Sequence, residues 1–213
     1  MMKIRCEIKK LSQRFHHFYV FRDLNLQLEA GRVNLIRGSN GSGKSTLLKI
    51  LSTGMESWSG EIQYYFQDKI QDYNEMRNFI SFLGPYQELP EELSLRELID
   101  FQQALGNPSG FEICYDVLTD LFGLRNDLDK PIAHFSTGMK QKARFVLAFG
   151  EKRPVWILDE PGSNLDAASS EKLWQWLSDC RDAHLIVVAS NDPYEISRSF
   201  CVLDLEESQK KNS

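Results

Sequence analysis

The chain has 213 residues, enough for one α/β domain with a sizeable apolar core. Its formal net charge is −5, which argues against a protein that mainly binds nucleic acid through phosphate contacts. Hydrophobic residues make up 42% of the chain, yet no apolar run approaches the roughly 18 residues that a membrane-spanning helix needs. The cysteines are isolated from one another, a pattern typical of reduced thiols in a cytosolic protein.

The spacing of apolar residues predicts an N-terminal β layer followed by an α/β core. Residues 3–29 alternate in character and predict short antiparallel strands joined by turns. Residues 32–37 predict a strand, and the apolar spacing after residue 46 predicts a helix. The later predicted elements are strands at 61–66 and 78–83, an inserted helical lobe at 94–150, a strand at 155–159, a helix at 167–181 and strands at 183–190 and 200–203. We expect one domain over residues 1–213, with a frayed tail at 206–213.

A glycine-rich run lies between the predicted strand at 32–37 and the helix after it. The run fits the pattern G-x-x-x-x-G-K-[ST], whose backbone N–H groups and helix N-terminus cradle a polyphosphate. Within it, Lys44 is expected to reach the β- and γ-phosphates of a nucleotide and Ser45 to ligate Mg²⁺. The predicted nucleotide-binding residues of the run are Gly38, Ser39, Asn40, Gly41, Ser42, Gly43, Lys44, Ser45 and Thr46.

Two adjacent carboxylates end the apolar run VWILDE at residues 155–160. An acidic residue at the end of a buried strand is the usual partner of a phosphate-binding loop, so Asp159 is expected to hold Mg²⁺ opposite Ser45. Glu160 is placed to polarise the water that attacks the γ-phosphate. Together the two motifs predict a site that binds and hydrolyses ATP.

The string FSTGMKQ at residues 135–141 precedes this pair, and SNLD follows it at 163–166. In this order the motifs resemble those of ATP-binding cassette (ABC) proteins, whose signature motif and D-loop lie at these places. The resemblance implies an ABC-type P-loop NTPase with a RecA-like core. It also implies that Ser136, Gly138 and Asp166 meet the nucleotide held by a second subunit. The signature departs from the family's LSGGQ-like string at Phe135, Thr137 and Met139, and a plain helix N-cap is the alternative role for Ser136.

Three further positions come from the same resemblance. Phe15, 23 residues before Gly38, is similar to the family's aromatic residue that stacks on adenine, with Val20 beside the ring. Core packing is the alternative for Phe15. Gln87 is our candidate for the glutamine that senses Mg²⁺, although Tyr86 or Pro85 occupies the register of other members and a plain loop role stays open. Asn191 stands where the family usually has a histidine; it can hydrogen-bond a γ-phosphate but cannot carry a proton near neutral pH.

The resemblance implies an ATP-hydrolysing subunit of a transporter, closest to stand-alone exporter subunits. Its partners would be a transmembrane permease and a second ABC subunit, and it would lie in the cytoplasm on the inner face of the membrane. Because Asn191 replaces the histidine, a nucleotide-gated interaction subunit or soluble ABC protein with little hydrolysis is the alternative. A P-loop kinase would leave the signature and D-loop unexplained, and a chromosome ATPase would need a long coiled coil between the motifs.

Overall fold

The computed structural model describes residues 3–85, 87–107 and 109–206. Their strands are β1 (Ile4–Phe15), β2 (Phe18–Glu29), β3 (Val33–Arg37), β4 (Ser59–Phe66), β5 (Lys69–Ile70), β6 (Ile80–Leu83), β7 (Val155–Asp159), β8 (Leu185–Ala189) and β9 (Phe200–Asp204). Their helices are α1 (Lys44–Leu51), α2 (Leu95–Ala104), α3 (Tyr115–Leu121), α4 (Thr137–Phe149), α5 (Ala167–Cys180) and α6 (Pro193–Ser197). Tyr86, and the predicted frayed tail from residue 207 onward, lie outside the described residues.

A parallel sheet forms the centre of the molecule, in the strand order β6-β7-β8-β3-β9. Every residue of β7 and of β8 is buried, as the continuous apolar runs at 155–159 and 183–190 predict for strands covered on both faces. Because the strands are parallel, the carboxyl ends of β3, β7 and β8 meet at one edge. The loops that follow these three strands therefore converge, which is how such sheets assemble ligand sites.

The N-terminal layer is an antiparallel sheet in the order β2-β1-β4-β5. The sequence predicts several short strands here, whereas β1 and β2 are each 12 residues long and are joined by a turn at His16 and His17. The register between them shifts after Ile8, Leu11 and Gln13. Each shift resets the inward and outward alternation of side chains, so one long irregular strand resembles several short ones in sequence.

Three helices lie between β6 and β7, where the sequence predicts the lobe at 94–150. The helix α2 begins with a capping box in which Ser94 accepts from the Glu97 N–H and Glu97 accepts from the Ser94 N–H. The helix α3 is shorter than the apolar spacing over 111–124 suggests. It starts after Cys114, whose N–H donates to the Gly150 carbonyl, and it is followed by Gly123 in the left-handed region at φ +69°.

Apolar side chains cover both faces of the parallel sheet. One face, which includes Leu35, Trp156 and Ile186, packs against the buried residues of α2 to α5 in a continuous cluster. The other face packs against α1 and the antiparallel sheet. Because α1 is held between the two sheets, the loop that precedes it has a fixed position. The buried side chains of residues 94–150 form one continuous cluster with those of the parallel sheet. That these residues form a distinct lobe within a single domain stays a prediction.

Candidate functional site

The glycine-rich loop joins β3 to α1 at the carboxyl edge of the parallel sheet. Gly41 and Gly43 have φ angles of +84° and +103°, a region that side-chain-bearing residues rarely adopt. A Cβ on Gly43 would also come within 2.4 Å of Val20 Cγ1, so this glycine lets β2 pack closely on the loop. Since α1 begins at Lys44, its unpaired N-terminal N–H groups belong to the same loop. The loop is therefore a concave set of backbone donors suited to an anion.

Lys44 is the fixed cation of this loop. Its side chain is only 5% exposed. The Nζ donates to the Gly38 carbonyl at 2.6 Å and to the Ser39 carbonyl at 3.1 Å, so the ammonium spans the loop from its C-terminal to its N-terminal end. This arrangement holds a positive charge where the phosphates of a nucleotide would lie.

Asp159 ends β7 and is almost fully buried, at 3% exposure. Burial raises the pKa of its carboxyl, whereas a hydrogen bond with the Ser45 side chain and the charge of Lys44 act in the opposite direction. Its Oδ2 is buried and has no hydrogen-bond partner among the described residues. A buried carboxylate oxygen without a partner is costly unless a cation compensates it. The donor set of Asp159 and Ser45, both oxygen ligands, fits Mg²⁺.

Glu160 follows Asp159 in an unusual backbone conformation. Its φ is +49°, in the left-handed region. This conformation is energetically unfavourable for any residue other than glycine. The Glu160 N–H donates to the Ala189 carbonyl at 2.9 Å, and the Glu160 carbonyl accepts from the Ser163 N–H at 3.1 Å. The turn therefore bends sharply away from the strand and is tied to the end of β8. Strained backbone of this kind persists where the surroundings enforce it, often at functional sites.

Asn191 lies just beyond β8 and contacts the glycine-rich loop within the same chain. Its Nδ2 donates to Asn40 Oδ1 at 3.1 Å. Sequence reasoning predicts both residues as parts of the site but not this bond between them. It places an uncharged amide pair at the rim of the loop, on the side where Glu160 and Asn191 line a common cleft.

The N-terminus of α4 carries the signature residues and lies against the turn after β7. Ser136 is exposed and caps the helix by accepting from the Met139 N–H at 3.2 Å, so the N-cap alternative describes its contact within the chain. A Cβ on Gly138 would lie 3.1 Å from the Asn164 carbonyl oxygen, so this glycine permits close packing of the helix on the turn. Gln141 Nε2 donates to the Pro161 carbonyl at 3.3 Å.

Asp166 caps the next helix, α5. Its carboxylate accepts from both the N–H and the hydroxyl of Ser169 at 2.8 Å, and Lys142 lies 3.2 Å away. The hydrogen bonds from Ser169 and Lys142 hold the pKa of Asp166 well below its usual range. In one chain this carboxylate therefore stabilises a helix N-terminus.

Two further predicted site residues, Phe15 and Gln87, belong to other parts of the fold. Phe15 is the last residue of β1 and is 48% exposed, which argues against the core-packing alternative. Gln87, in the loop after β6, uses its side-chain amide to bond the Gly84 N–H and the Phe82 carbonyl. Its contacts are thus with the end of β6, in keeping with the plain loop alternative.

Comparison with known proteins agrees with this geometry. The model of the ABC transporter family matches residues 21–163. The chain belongs to the ABC transporter family. The cytochrome c biogenesis ATP-binding export protein CcmA of Rhizobium johnstonii is 31% identical over 206 residues, covering 93% of this chain and 92% of that protein. A solved ATP-binding subunit of an ABC transporter superposes with a TM-score of 0.78 at 28% identity, covering 91% of this chain and 82% of that one.

A second solved neighbour is the dimeric cassette MJ0796 in a post-hydrolysis state with ADP and Pi. Its TM-score is 0.74 at 21% identity, covering 91% of this chain and 90% of that one, and the likeness shows the shared fold. The prediction of an ABC-type P-loop fold with an antiparallel layer is confirmed. Within the described ranges, the ABC chain has no helix that is both long and apolar enough to span a bilayer. It is the ATP-binding subunit of an ABC transporter, and ATP hydrolysis is the reaction of its family.

Two acidic residues near the site were not predicted from the sequence. Glu195, in α6, is only 4% exposed, and its Oε1 accepts from the Gly162 N–H at 2.8 Å. Glu206, after β9, accepts from the Ser39 N–H at 2.7 Å. Both resemble ordinary surface carboxylates in sequence, and their partners are distant along the chain. Glu195 is recognised by its contact with Gly162 in the turn after β7. That contact is visible in the fold and has no local signal in the sequence.

Proposed function

We propose that this chain hydrolyses Mg·ATP to ADP and phosphate at the carboxyl edge of its parallel sheet. The observation that carries the proposal is the buried Oδ2 of Asp159, without a partner among the described residues and next to Ser45 and Lys44. Bound Mg²⁺ would neutralise negative charge on the β- and γ-phosphate oxygens. Asp159 and Ser45 would hold the ion, with Gln87 as the third candidate if its amide leaves the end of β6.

The chain's own residues would divide the work at the phosphates. The loop N–H groups and Lys44 bind and orient the β- and γ-phosphates. The Glu160 carboxylate accepts a proton from the attacking water, which forms a bond to the γ-phosphorus as the bond to the β-phosphate oxygen breaks. Asn191 would donate to the γ-phosphate through its amide, the same group that bonds Asn40. Phe15 would stack on adenine, with Val20 supporting the loop.

The exposed signature residues favour a second chain as part of the site. Ser136 and the Gly138 backbone are at the start of α4, with Ser136 exposed, so another chain's nucleotide could reach them. We infer that two copies, or this chain and a related one, enclose ATP between the glycine-rich loop of one and the signature of the other. A cassette with the same fold has been solved as a dimer with ADP and Pi, which supports pairing of two chains.

A groove supports docking to a membrane permease. It has a volume of about 600 Å³ and lies between β6, α2 and α4. Phe101 of α2 and Leu105, directly after that helix, line it and are 61% and 70% exposed. Exposed apolar side chains that share one groove are typical of interaction sites. Together with the export function in the names of relatives, the groove favours an exporter subunit that is peripheral on the inner face of the membrane.

The docking proposal has a direct test in cells. Phe101→Glu should release the protein from the membrane fraction, because it adds a charge to the apolar lining. Val117→Glu is the matched control, since Val117 is 60% exposed on α3 and does not line the groove. Equal release of both variants, or of neither, would contradict the docking site.

A nucleotide-gated subunit with little hydrolysis is the second candidate. The bond between Asn191 and Asn40 favours it, because neither amide can change its protonation state near neutral pH and so neither can act as an acid or a base.

Phosphate release by the purified protein, with ATP and with or without Mg²⁺, separates the two candidates. Hydrolysis that needs Mg²⁺, is lost in Asp159→Asn and persists in Asp179→Asn, an exposed residue of α5, supports the ATPase. Tight ATP binding without turnover supports the gated subunit, and absence of both binding and turnover overturns the proposal.

A further inference from the structure

Glu195 is a buried carboxylate that the proposed mechanism leaves without a role. It lies in α6, and the Asp192 side chain caps this helix by accepting from the Tyr194 and Glu195 N–H groups. Its own side chain leaves the helix and reaches the turn after β7, where Oε1 accepts from the Gly162 N–H. The helix is tied to the loop after β8, because the Asp192 N–H donates to the Ser190 hydroxyl oxygen at 3.0 Å. Glu195 therefore links the turn that carries Glu160 to the helix that follows Asn191.

The two loops are the ones that follow β7 and β8. Gly162 lies two residues after Glu160, and Ser190 directly precedes Asn191. Glu160, Asn191 and Glu195 line one cleft of about 520 Å³. We call the contact of Glu195 with the Gly162 N–H the Glu195 bridge. The turn is also held by bonds from the Glu160 N–H to the Ala189 carbonyl, from the Ser163 N–H to the Glu160 carbonyl and from Gln141 Nε2 to the Pro161 carbonyl.

The surroundings of Glu195 are adapted to a carboxyl group. A Cβ on Gly162 would lie 2.3 Å from Glu195 Oε1, so the glycine leaves room for this oxygen. Oε2 is also buried and has no hydrogen-bond partner within the described part of the chain. Burial raises the pKa of the Glu195 carboxyl, and the charges of Asp192 and Glu160 raise it further. An acidic group in such a place lowers stability, which is more typical of a functional role than of a structural one.

We propose that Glu195 is a positioning residue for ATP hydrolysis, which holds the turn carrying Glu160 in register with the loop carrying Asn191. The proposal rests on the proposed ATPase activity. Glu195 acts through the Gly162 backbone, while the proton of the attacking water goes to Glu160. A displacement of about 1 Å in a group that positions water can lower a rate by about 100-fold, so a buried contact two residues from Glu160 has a measurable effect.

The Glu195 bridge can be tested without catalysis, by amide hydrogen exchange at Gly162. Glu195→Ala removes the acceptor, and exchange at this amide should accelerate by about tenfold. Glu195→Gln keeps an acceptor oxygen and should stay close to wild type. Glu171→Ala is the control, because Glu171 lines the same cleft and contacts Tyr194 and Arg198 but not the turn. Unchanged exchange in Glu195→Ala would overturn the bridge.

The positioning role is tested by separating kcat from ATP affinity. Glu195→Ala should lower kcat by about 10- to 100-fold and leave the Kd for ATP within about twofold, with rescue by Glu195→Gln. In a Glu160→Gln background the same change should add less than about twofold, because its effect passes through Glu160. Gly162→Ala, which displaces Oε1 instead of removing it, should lower kcat in the same way if Glu195→Ala fails to fold.

The outcomes separate the two proposals. Equal losses of kcat and affinity, or no rescue by glutamine, would overturn the positioning role of Glu195. Wild-type protein that lacks Mg-dependent hydrolysis would instead contradict the proposed ATPase and with it the positioning role, whatever the exchange rate at Gly162.

Discussion

The two halves of the proposed site differ in how the chain holds them. Lys44 and Asp159 are 5% and 3% exposed, and Lys44 is held by backbone carbonyls of the loop. The signature residue Ser136 is exposed, and its contact is with the first turn of its own helix. Groups that must present a fixed charge to phosphate are thus buried and preorganised, whereas groups assigned to a second chain's nucleotide lie at the surface.

The two halves also differ electrostatically. Burial raises the pKa of Asp159, whereas hydrogen bonds from Ser169 and an ion pair with Lys142 lower the pKa of Asp166. Ionised Asp159 therefore lowers the free energy of unfolding, whereas ionised Asp166 raises it. This contrast suggests that the buried half stores the free energy that ligand binding releases, and that the exposed half is stable without ligand.

The largest effect is expected from the buried cation. Lys44→Ala should weaken Mg·ATP binding by about 100-fold or more, because the phosphates lose a charge-assisted donor fixed in the loop. Isothermal titration with ATP measures this. Lys49→Ala is the matched control, since Lys49 is exposed in the last turn of the same helix. Unchanged affinity in Lys44→Ala would remove the basis for treating the loop as a phosphate site.

Glu160→Gln should separate binding from hydrolysis. The variant keeps the shape of the side chain but cannot accept the proton of water, so kcat should fall by about 10²- to 10⁴-fold while ATP binding persists. An ATP-bound dimer should then accumulate, because the reaction that reopens it is blocked. Size-exclusion chromatography with Mg·ATP, and with ADP as the control, detects it. A strictly monomeric elution at high protein concentration would contradict a self-sufficient homodimer.

Asn191→His tests whether the missing histidine beside the glycine-rich loop limits the rate of hydrolysis. Histidine offers a donor on one ring nitrogen and an acceptor on the other, so it could bridge the γ-phosphate and a facing backbone where asparagine reaches less far. We expect kcat at saturating Mg·ATP to rise. Asn40→Ala breaks the same intrachain bond without adding an imidazole and serves as the control. A fall in kcat for Asn191→His, or no change, would mean that the missing histidine does not limit turnover.

Phe15→Ala should have a moderate effect on affinity alone. Loss of stacking on adenine is expected to weaken ATP binding by about tenfold and leave kcat unchanged. Phe18→Ala is a close control, because Phe18 is the strand partner of Phe15 across the turn and is 82% exposed. Equal effects of the two substitutions would indicate a general disturbance of the turn instead of a stacking contact.

The smallest expected effects are on stability, and they have opposite signs. The folded pKa of Asp159 is raised, so its unfavourable contribution to stability appears as the pH rises above the unfolded value of 3.8 and grows until the pH has passed the folded pKa. Asp159→Asn should therefore raise the Tm of the ligand-free protein at pH 7 by about 2–4 °C. The folded pKa of Asp166 is lowered, so its favourable contribution is complete above the unfolded value of 3.8 and is lost as the pH falls from there toward the folded pKa.

Asp166→Ala should accordingly lower the Tm at pH 7, and the difference from wild type should shrink in acid. Calorimetry between pH 7 and pH 3 measures both variants. Shifts of the same sign for the two would remove the electrostatic contrast between the buried and the exposed half.

The sequence signals for the buried half are local. The glycines of residues 38–43 require particular φ angles, and the apolar run before Asp159 predicts a strand that is covered on both faces. The sequence does not predict the contacts that join the loops. Glu195 and Gly162 are 33 residues apart, and Asn191 and Asn40 are 151 apart, so their pairing depends on how the parallel strands align. The bulges of β1 likewise have no local signal that separates them from turns.

Subunit mixing tests the central claim, that the buried half of one chain works with the exposed half of another. Lys44→Ala and Ser136→Arg should each be inactive alone, because one lacks the phosphate cation and the other blocks the signature face. When equal amounts are mixed, random pairing makes about half of the dimers mixed, each with one intact site, so about a quarter of wild-type ATPase activity should return. Activity in the mixture no greater than the sum of the two separate variants would contradict the account.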